Sequence, residues 1–349
     1  SDVLDYQQTA IICNVTPEQD HQGQAFERFT TSGPLAVLPL GEKRCSVVWT
    51  VKRELAESIM ALDDENFLLR LQEQFGYRLG RLLTVGQRSS YPLYRVKARQ
   101  QLAQRLVVLG NAAHNLHPVA GQGFNLSLRD VAALAEVMAS LEGVDPGTPA
   151  MLEQYMQWRR EDQDKVLGFT HGLVRLFTSP FGPVKLARSA GLLSFDLVPG
   201  AKKLFARHTM GRAGRLPRLA MGSPPGMKAG SKKDFDLIIA GGGMVGSALG
   251  CLVAAQSPDT RVCVLEPRPP ENPGDDKGWA LRVSAISRAS QAVLEHAGAW
   301  SGIAAGRISP YRRMMVWEGD DPGRGLSFGA EDVGEADDVA VDVGMRIFD

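Results

Sequence analysis

The stretch "DLIIAGGGMVGSALG", residues 236–250, decides the fold. An apolar strand, Phe235–Ala240, runs into Gly241-Gly242-Gly243-Met244-Val245-Gly246, which fits G-x-G-x-x-G. A helical stretch to Gln256 follows, then a second strand, Arg261–Leu265, ending at Glu266. Each piece has a physical reason. Gly241 permits a tight turn, Gly243 lets the backbone approach a pyrophosphate, and Gly246 lets helix and strand pack closely. The helix N-terminus supplies N–H groups and a partial positive charge for phosphates. Glu266 stands 20 residues after Gly246, where a carboxylate can accept hydrogen bonds from ribose hydroxyls. A glycine-rich turn can also serve packing alone, but strand, helix, strand and acid together predict a Rossmann-like nucleotide-binding unit. The motif does not separate FAD from NAD. It also begins two-thirds of the way along the chain.

Outward from this unit, the bulk numbers set limits. A length of 349 residues suits about two domains, or one large α/β domain with an insertion. Hydrophobic residues at 44% with 22% charged are ordinary for a globular protein. A net charge of +0 argues against a nucleic-acid partner. The charge is uneven: residues 1–222 hold 26 Lys and Arg against 21 Asp and Glu, and residues 223–349 hold 13 against 18. Cys13, Cys45, Cys251 and Cys263 lie singly in apolar runs, so neither a zinc site nor a redox dithiol is implied, and buried free thiols are expected. No apolar run is long enough to cross a bilayer. The chain starts in mid-pattern at Ser1, as a fragment would.

The first 222 residues read as two parts. Residues 1–100 hold β-rich segments (Thr9–Val15, Leu35–Leu40, Cys45–Val51) punctuated by Gly-Pro and Gly-Glu-Lys turns, which predict an antiparallel sheet. Helical periodicity runs from Arg53 to Phe75, and a strand-like "SSYPLYRV" follows. In residues 101–222, Arg105–Leu109 reads as a strand buried on both faces. A helix after Asn125 ends near Gly143, and a long helix spans Met151–Phe177. Residues 184–218 are basic and amphipathic, residues 223–233 have linker composition, and residues 234–349 hold the dinucleotide segment.

Between Arg105–Leu109 and the next helix lies "GNAAHNLHPVAGQGFNLSLRD", residues 110–130. With its approach strand it resembles the second FAD motif of the flavin-dependent aromatic hydroxylases, G-D-A-A-H-x-x-x-P-x-x-G-Q-G-x-N. The chain is identified on these residues as similar to the ubiquinone-biosynthesis FAD-dependent hydroxylases. "QAFERFTTSGPLAVLPLGEKRCSVVW" and "KKLFARHTMGRAGRLPRLAMG" resemble the 2-polyprenyl-6-methoxyphenol hydroxylase branch, and "LRVSAIS" resembles the beginning of a family member. The resemblance implies an α/β fold: a Rossmann-like FAD domain of the class A flavin monooxygenase type, a mixed or antiparallel substrate-domain sheet, and C-terminal helices. It implies that Asn111, Pro118, Gly121, Gln122, Gly123 and Asn125 hold the flavin, with the helix opened by Gly121-Gln122-Gly123 stabilising charge on the reduced ring. Arg282 matches an arginine placed near the flavin. The family's usual Asp is Asn111 here, which can hydrogen-bond but carries no charge. His114 and His117 divide evenly between a site role and simple packing.

The resemblance also implies ring hydroxylation of a polyprenylated phenol with FAD, NAD(P)H and O₂, without a fixed catalytic base. Its segments stand in an order that family members do not show, and the G-A-D-G motif is not found in the sequence. Two accounts remain: a permuted hydroxylase whose halves assemble into one FAD domain, or the tail of one hydroxylase joined to the head of its neighbour. In either, Arg105–Leu109 is expected to pair with Leu237–Ala240. A flavin oxidoreductase without oxygen insertion and a non-catalytic FAD-binding fragment are the competing functions. Residues 184–218 suit peripheral contact with an anionic membrane surface. The expected location is therefore cytoplasmic, peripheral at the inner membrane, beside other ubiquinone-biosynthesis proteins.

Overall fold

The computed structural model describes residues 1–140, 145–178, 216–221, 235–267, 283–304, 308–319, 325–329 and 345–348. Arg282, the linker 223–233 and all of the basic stretch 184–218 before residue 216 lie outside these residues. Four strands open the chain: β1 (Asp2–Pro17), β2 (Gln24–Thr30), β3 (Gly33–Pro39) and β4 (Cys45–Lys52). Helices α1 (Arg53–Met60) and α2 (Asp64–Phe75) follow. Next come β5 (Leu82–Lys97), β6 (Leu102–Ala103), β7 (Leu106–Val107) and β8 (His114–Asn115). Helices α3 (Gln122–Ser140) and α4 (Pro149–Thr178) complete this part. The dinucleotide segment contributes β9 (Leu237–Ala240), α5 (Met244–Gln256), β10 (Val262–Leu265) and β11 (Ser284–Ser287). After it stand α6 (Arg288–His296), α7 (Trp300–Ala304), β12 (Ile308–Tyr311), β13 (Arg313–Glu318), β14 (Leu326–Gly329) and β15 (Met345–Phe348).

Among the described residues eight strands form the main sheet, in the order β14-β13-β2-β3-β4-β1-β5-β8. The expected antiparallel sheet is present, and it is larger and mixed. On β4, Cys45, Val47, Trp49 and Val51 alternate onto one face and pack with Ile59 of α1 and Phe67, Leu71 and Phe75 of α2. The period of two is that of the pleat, which puts these four side chains on one face, while Ser46 and Thr50 are buried on the other. At the other end, β13 runs parallel to β2, from Arg313 beside Gln24 to Glu318 beside Phe29. Its Trp317 is 1% exposed, with ring centroids 6.3 Å from Phe26 and 5.9 Å from Phe75. Strands from both sides of the linker-like stretch therefore share one core.

A second core surrounds α3, which is buried along nearly its whole length. Val131, Leu134 and Ala135 meet Leu249, Leu252 and Val253 of α5 and Val293 of α6. The unbroken apolar run Val131–Ala135 suits such an interior. β9 and β10 pair in parallel through Val262 beside Leu237 to Leu265 beside Ala240, with α5 between them in sequence. This is the Rossmann-like unit predicted by the glycine motif.

Three expectations are corrected. Arg105–Leu109 is not a doubly buried strand: Ala103 pairs with Leu106 around a two-residue loop in which Arg105 takes φ +58°. Leu106 is half exposed, and among the described residues β9 pairs only with β10. The helix over 53–75 is broken. Ala61 closes α1, and the Asp63 side chain caps α2 by accepting a hydrogen bond from the Asn66 N–H at 2.8 Å. Cys251 is exposed, whereas burial pushes the Cys13 and Cys45 thiols up to about 12.

Candidate functional site

β9 delivers the chain into the glycine turn. Gly241 takes φ +103°, and its N–H donates to the Leu265 carbonyl at 2.8 Å, tying the turn to the end of β10. Gly243 is the N-cap of α5, and a Cβ there would meet nothing within 4 Å. A Cβ on Gly246 would lie 2.0 Å from the Gly241 carbonyl oxygen and 3.1 Å from Ile239. Gly246 thus closes helix onto strand, while Gly243 faces open space. Glu266 is exposed at the end of β10, and its Oε2 accepts the Gly242 N–H at 2.7 Å.

The second motif packs against the first. Gly110, at φ +62°, brings its Cα so close that an added Cβ would sit 3.4 Å from Val245. Asn111 follows in an exposed single turn of 3₁₀ helix. Pro118 opens a second 3₁₀ turn that ends at Gly121, and α3 begins at Gln122. Gln122 is buried. Asn125 is fully buried, with its Nδ2 donating to the Gly121 and Ala285 carbonyls, each at 2.9 Å. Its Oδ1 accepts the Ser287 N–H at 2.9 Å. The Asn125 amide therefore clamps β11 to the start of α3.

One cavity of about 1690 Å³ lies between the motifs. Ordinary small-ligand pockets hold roughly 300–1,000 Å³. Gly241, Gly243 and Gly246 line it from one side, and Asn111, Pro118, Gly121 and Gly123 from another. Seven of the eleven residues singled out from sequence thus border one space. Gln122, Asn125 and Glu266 stand outside its lining, and Arg282 lies outside the described residues. The main sheet forms one wall of the cavity, through Glu27, Phe29, Ala36, Leu38, Val48 and Thr50, joined by Met314 and Val316 of β13. Sequence reading missed this wall. Its strands are buried on both faces, so no alternation marks which side chains look inward.

Behind the second motif lies a buried charge network, also missed. His114 Nε2 is 2.7 Å from Asp130 Oδ2, and Arg159 Nε donates to Asp130 Oδ1 at 2.7 Å. Gln163 adds a bond to Asp130 at 3.1 Å, while Asp162 accepts from Arg159 and, at 3.0 Å, from Arg129. Burial would raise the Asp130 carboxyl, but Arg159 and His114 outweigh it and hold the group below its ordinary value. His117 accepts the Val119 N–H at 3.2 Å and meets Tyr6 edge-on at 5.2 Å. Burial lowers it to about 4. His114 is thus a pin between α3, α4 and the turn, and His117 is a packed, neutral ring.

The open spaces at Gly243 and Gly123, beside the N-terminal turns of α5 and α3, fit a dinucleotide that needs close backbone approach. Residues 4–170 match the family model of the FAD binding domain. The ubiquinone hydroxylase UbiL of Rhodospirillum rubrum is 44% identical over 226 residues, 63% of this chain and 53% of its own length. The ubiquinone hydroxylase UbiM of Neisseria meningitidis is 31% identical, over 60% of this chain and 46% of its own. The mitochondrial ubiquinone biosynthesis monooxygenase COQ6 of Homo sapiens is 27% identical, over 57% and 50%. The chain spans about half the length of these curated relatives. Among solved structures, p-nitrophenol 4-monooxygenase PnpA from Pseudomonas putida DLL-E4 is 18% identical, with a TM-score of 0.47 over 62% of this chain and 56% of that one. The chain is thus similar to the FAD binding domain over residues 4–170, and to the ubiquinone hydroxylases over about half of their length.

Proposed function

We propose that the chain binds FAD between its two glycine turns and hydroxylates a polyprenylated phenol in ubiquinone biosynthesis, with NAD(P)H as donor and O₂ as co-substrate. The observation that carries this reading is the single cavity bordered by both motifs and the sheet wall. FAD, when bound, supplies the redox and oxygen chemistry. The protein's part is to bind, orient and exclude water. Gly241, Gly243 and Gly246 shape the pyrophosphate turn, and Glu266 stands beside it for the ribose. Asn111, Pro118, Gly121 and Gly123 border the isoalloxazine end, and Gln122 and Asn125 fix the helix that carries it. Arg282 is assigned to the same end. The apolar wall suits an aromatic ring with a hydrocarbon tail.

Measuring bound flavin, and NAD(P)H oxidation with and without a phenol, tests the proposal. Flavin uptake with phenol-stimulated oxidation and a hydroxylated product is the expected result. Flavin uptake without turnover would favour the second reading, an FAD-binding fragment, to which the unpaired outer edge of β9 among the described residues points. Residues 184–218 are proposed to touch an anionic membrane surface, with basic residues worth about 1 kcal/mol each near it. Co-sedimentation with anionic liposomes, weakening from low to physiological salt, is expected. No described helix is long and apolar enough to cross a membrane.

A further inference from the structure

A second recess, of about 920 Å³, shares no lining residue with the cavity between the motifs. It forms where β1 slips its register: Asp5 pairs with Tyr94 and Gln8 with Leu93, so Tyr6 and Gln7 bulge from the ladder, Gln7 at φ +55°. Bulges re-aim side chains. Among the charged groups that line the recess, Asp5 is already satisfied. It accepts from Arg53 twice at 2.7 Å, and from the Gln7 backbone and side-chain N–H groups at 2.9 and 2.8 Å. There remain Lys52 at the end of β4, Arg95 on β5, Arg175 in the last turn of α4 and one exposed acid, Glu54. None of these three cations forms an ion pair among the described residues. His171, one turn before Arg175, also lines the recess, with its Nδ1 3.4 Å from the Tyr6 hydroxyl. Burial first, then the Arg95 and Arg175 charges, hold its ring below the ordinary value, so both guanidiniums bear on one spot. Like charges gathered in one recess repel each other and favour a ligand of opposite sign. Two further polar groups are available beside them. Lys52 stands at the N-cap of α1 without giving its first N–H groups a side-chain partner. Gln8 is buried and lines the recess, and its Oε1 has no hydrogen-bond partner among the described residues.

We propose that this recess binds a phosphate monoester, with Arg95 and Arg175 donating to its oxygens, Lys52 and the start of α1 meeting the remaining charge, and Gln8 accepting from a hydroxyl of the group that bears it. Three cations against Glu54 leave two charges to balance, which a phosphate dianion matches and a single carboxylate does not. Guanidinium forks also fit phosphate oxygens closely. The volume leaves room for the group to which the phosphate is attached. That group is a small soluble molecule or the glycerol of an anionic lipid. Residues 184–218, proposed to meet an anionic membrane, follow α4 in sequence.

The test has a soluble arm and a lipid arm, both on the full chain. Glycerol 3-phosphate is titrated in by calorimetry, with glycerol as the control. Phosphatidylcholine vesicles carrying phosphatidate are sedimented with the chain, beside vesicles of equal surface charge carrying phosphatidylserine. The native chain should bind glycerol 3-phosphate, or prefer the phosphatidate vesicles, by about tenfold or more over the control. Replacing Arg95 and Arg175 together by Gln should remove that preference while the circular dichroism spectrum stays native. Arg175 is exposed, so Arg175→Gln alone carries the test if the double variant does not fold. Loss in the soluble arm identifies a soluble ester, and loss in the lipid arm alone identifies a headgroup; either supports the site. A native chain that prefers neither probe over its control, or variants that keep the preference, would overturn the proposal. Vesicle binding that ignores the headgroup and survives the substitutions belongs to residues 184–218 and, without uptake of glycerol 3-phosphate, overturns it too.

Discussion

Gly246 and Gly243 sit three residues apart and should answer substitution in opposite ways. A side chain at Gly246 must displace the Gly241 carbonyl, 2.0 Å from the new Cβ, so Gly246→Ala should cost about 1–3 kcal/mol or more and lower the melting temperature. Gly243→Val meets open space, so the melt should hold within about 0.5 kcal/mol while FAD affinity falls. A Gly243→Val protein with native FAD affinity would remove the pyrophosphate from this turn. For Glu266, one carboxylate oxygen already accepts the Gly242 N–H. Glu266→Ala should loosen the turn and leave ribose hydroxyls unmatched, costing about 1–3 kcal/mol of FAD affinity in a flavin titration. The glycines were legible in the sequence because their requirement is local and sits in fixed spacing. The Asn125 clamp was not, because its partners Ala285 and Ser287 lie some 160 residues downstream. Nor was the inward aim of Glu27, on a strand buried on both faces.

At the scale of elements, α3 and α4 are joined by charge as well as by apolar contact. Asp130→Asn would leave Arg159 buried with only Asp162 beside it, at a cost of about 3 kcal/mol, visible in urea melts. The turn before α3 should also make the fold acid-sensitive. Unfolded, the His117 ring titrates near 6.5; folded, near 4. Above pH 6.5 neither state carries the proton. Between the two values the unfolded chain binds it and the folded chain does not, so stability falls as pH drops, by about 3 kcal/mol in all. The depressed Asp130 carboxyl acts in the same direction, but only below its ordinary value near 3.8. The difference in stability between the native chain and His117→Gln, measured from pH 7 to 4.5, isolates the ring and should show its slope in the native chain alone. Helices and long strands were readable here from periodicity. The β6–β7 hairpin was not, since "RLVVL" has the composition of a buried strand. Only the positive φ at Arg105, held with the Arg105–Asp145 ion pair, turns it into an exposed loop.

For the whole molecule, the inverted order of segments left two accounts open, and the main sheet bears on them. β13 lies parallel to β2 over six residue pairs, and Trp317 fills the core beneath Phe26 and Phe75. On the other side of the molecule, α5 and α6 cover α3. The two parts therefore hold each other at two separate cores, as halves of one flavin domain would. Such a sheet was not legible from sequence, because a parallel pairing between residues nearly 290 apart leaves no periodic trace. Trp317→Ala should cost about 3–5 kcal/mol, because it empties a large volume from a core shared by both parts. The stronger test removes the connection altogether. Expressed together as separate chains, residues 1–221 and 235–349 should co-purify, and Trp317→Ala in the second should weaken their association. Two chains that elute apart would mean that the connecting residues, not the shared sheet, keep the parts together.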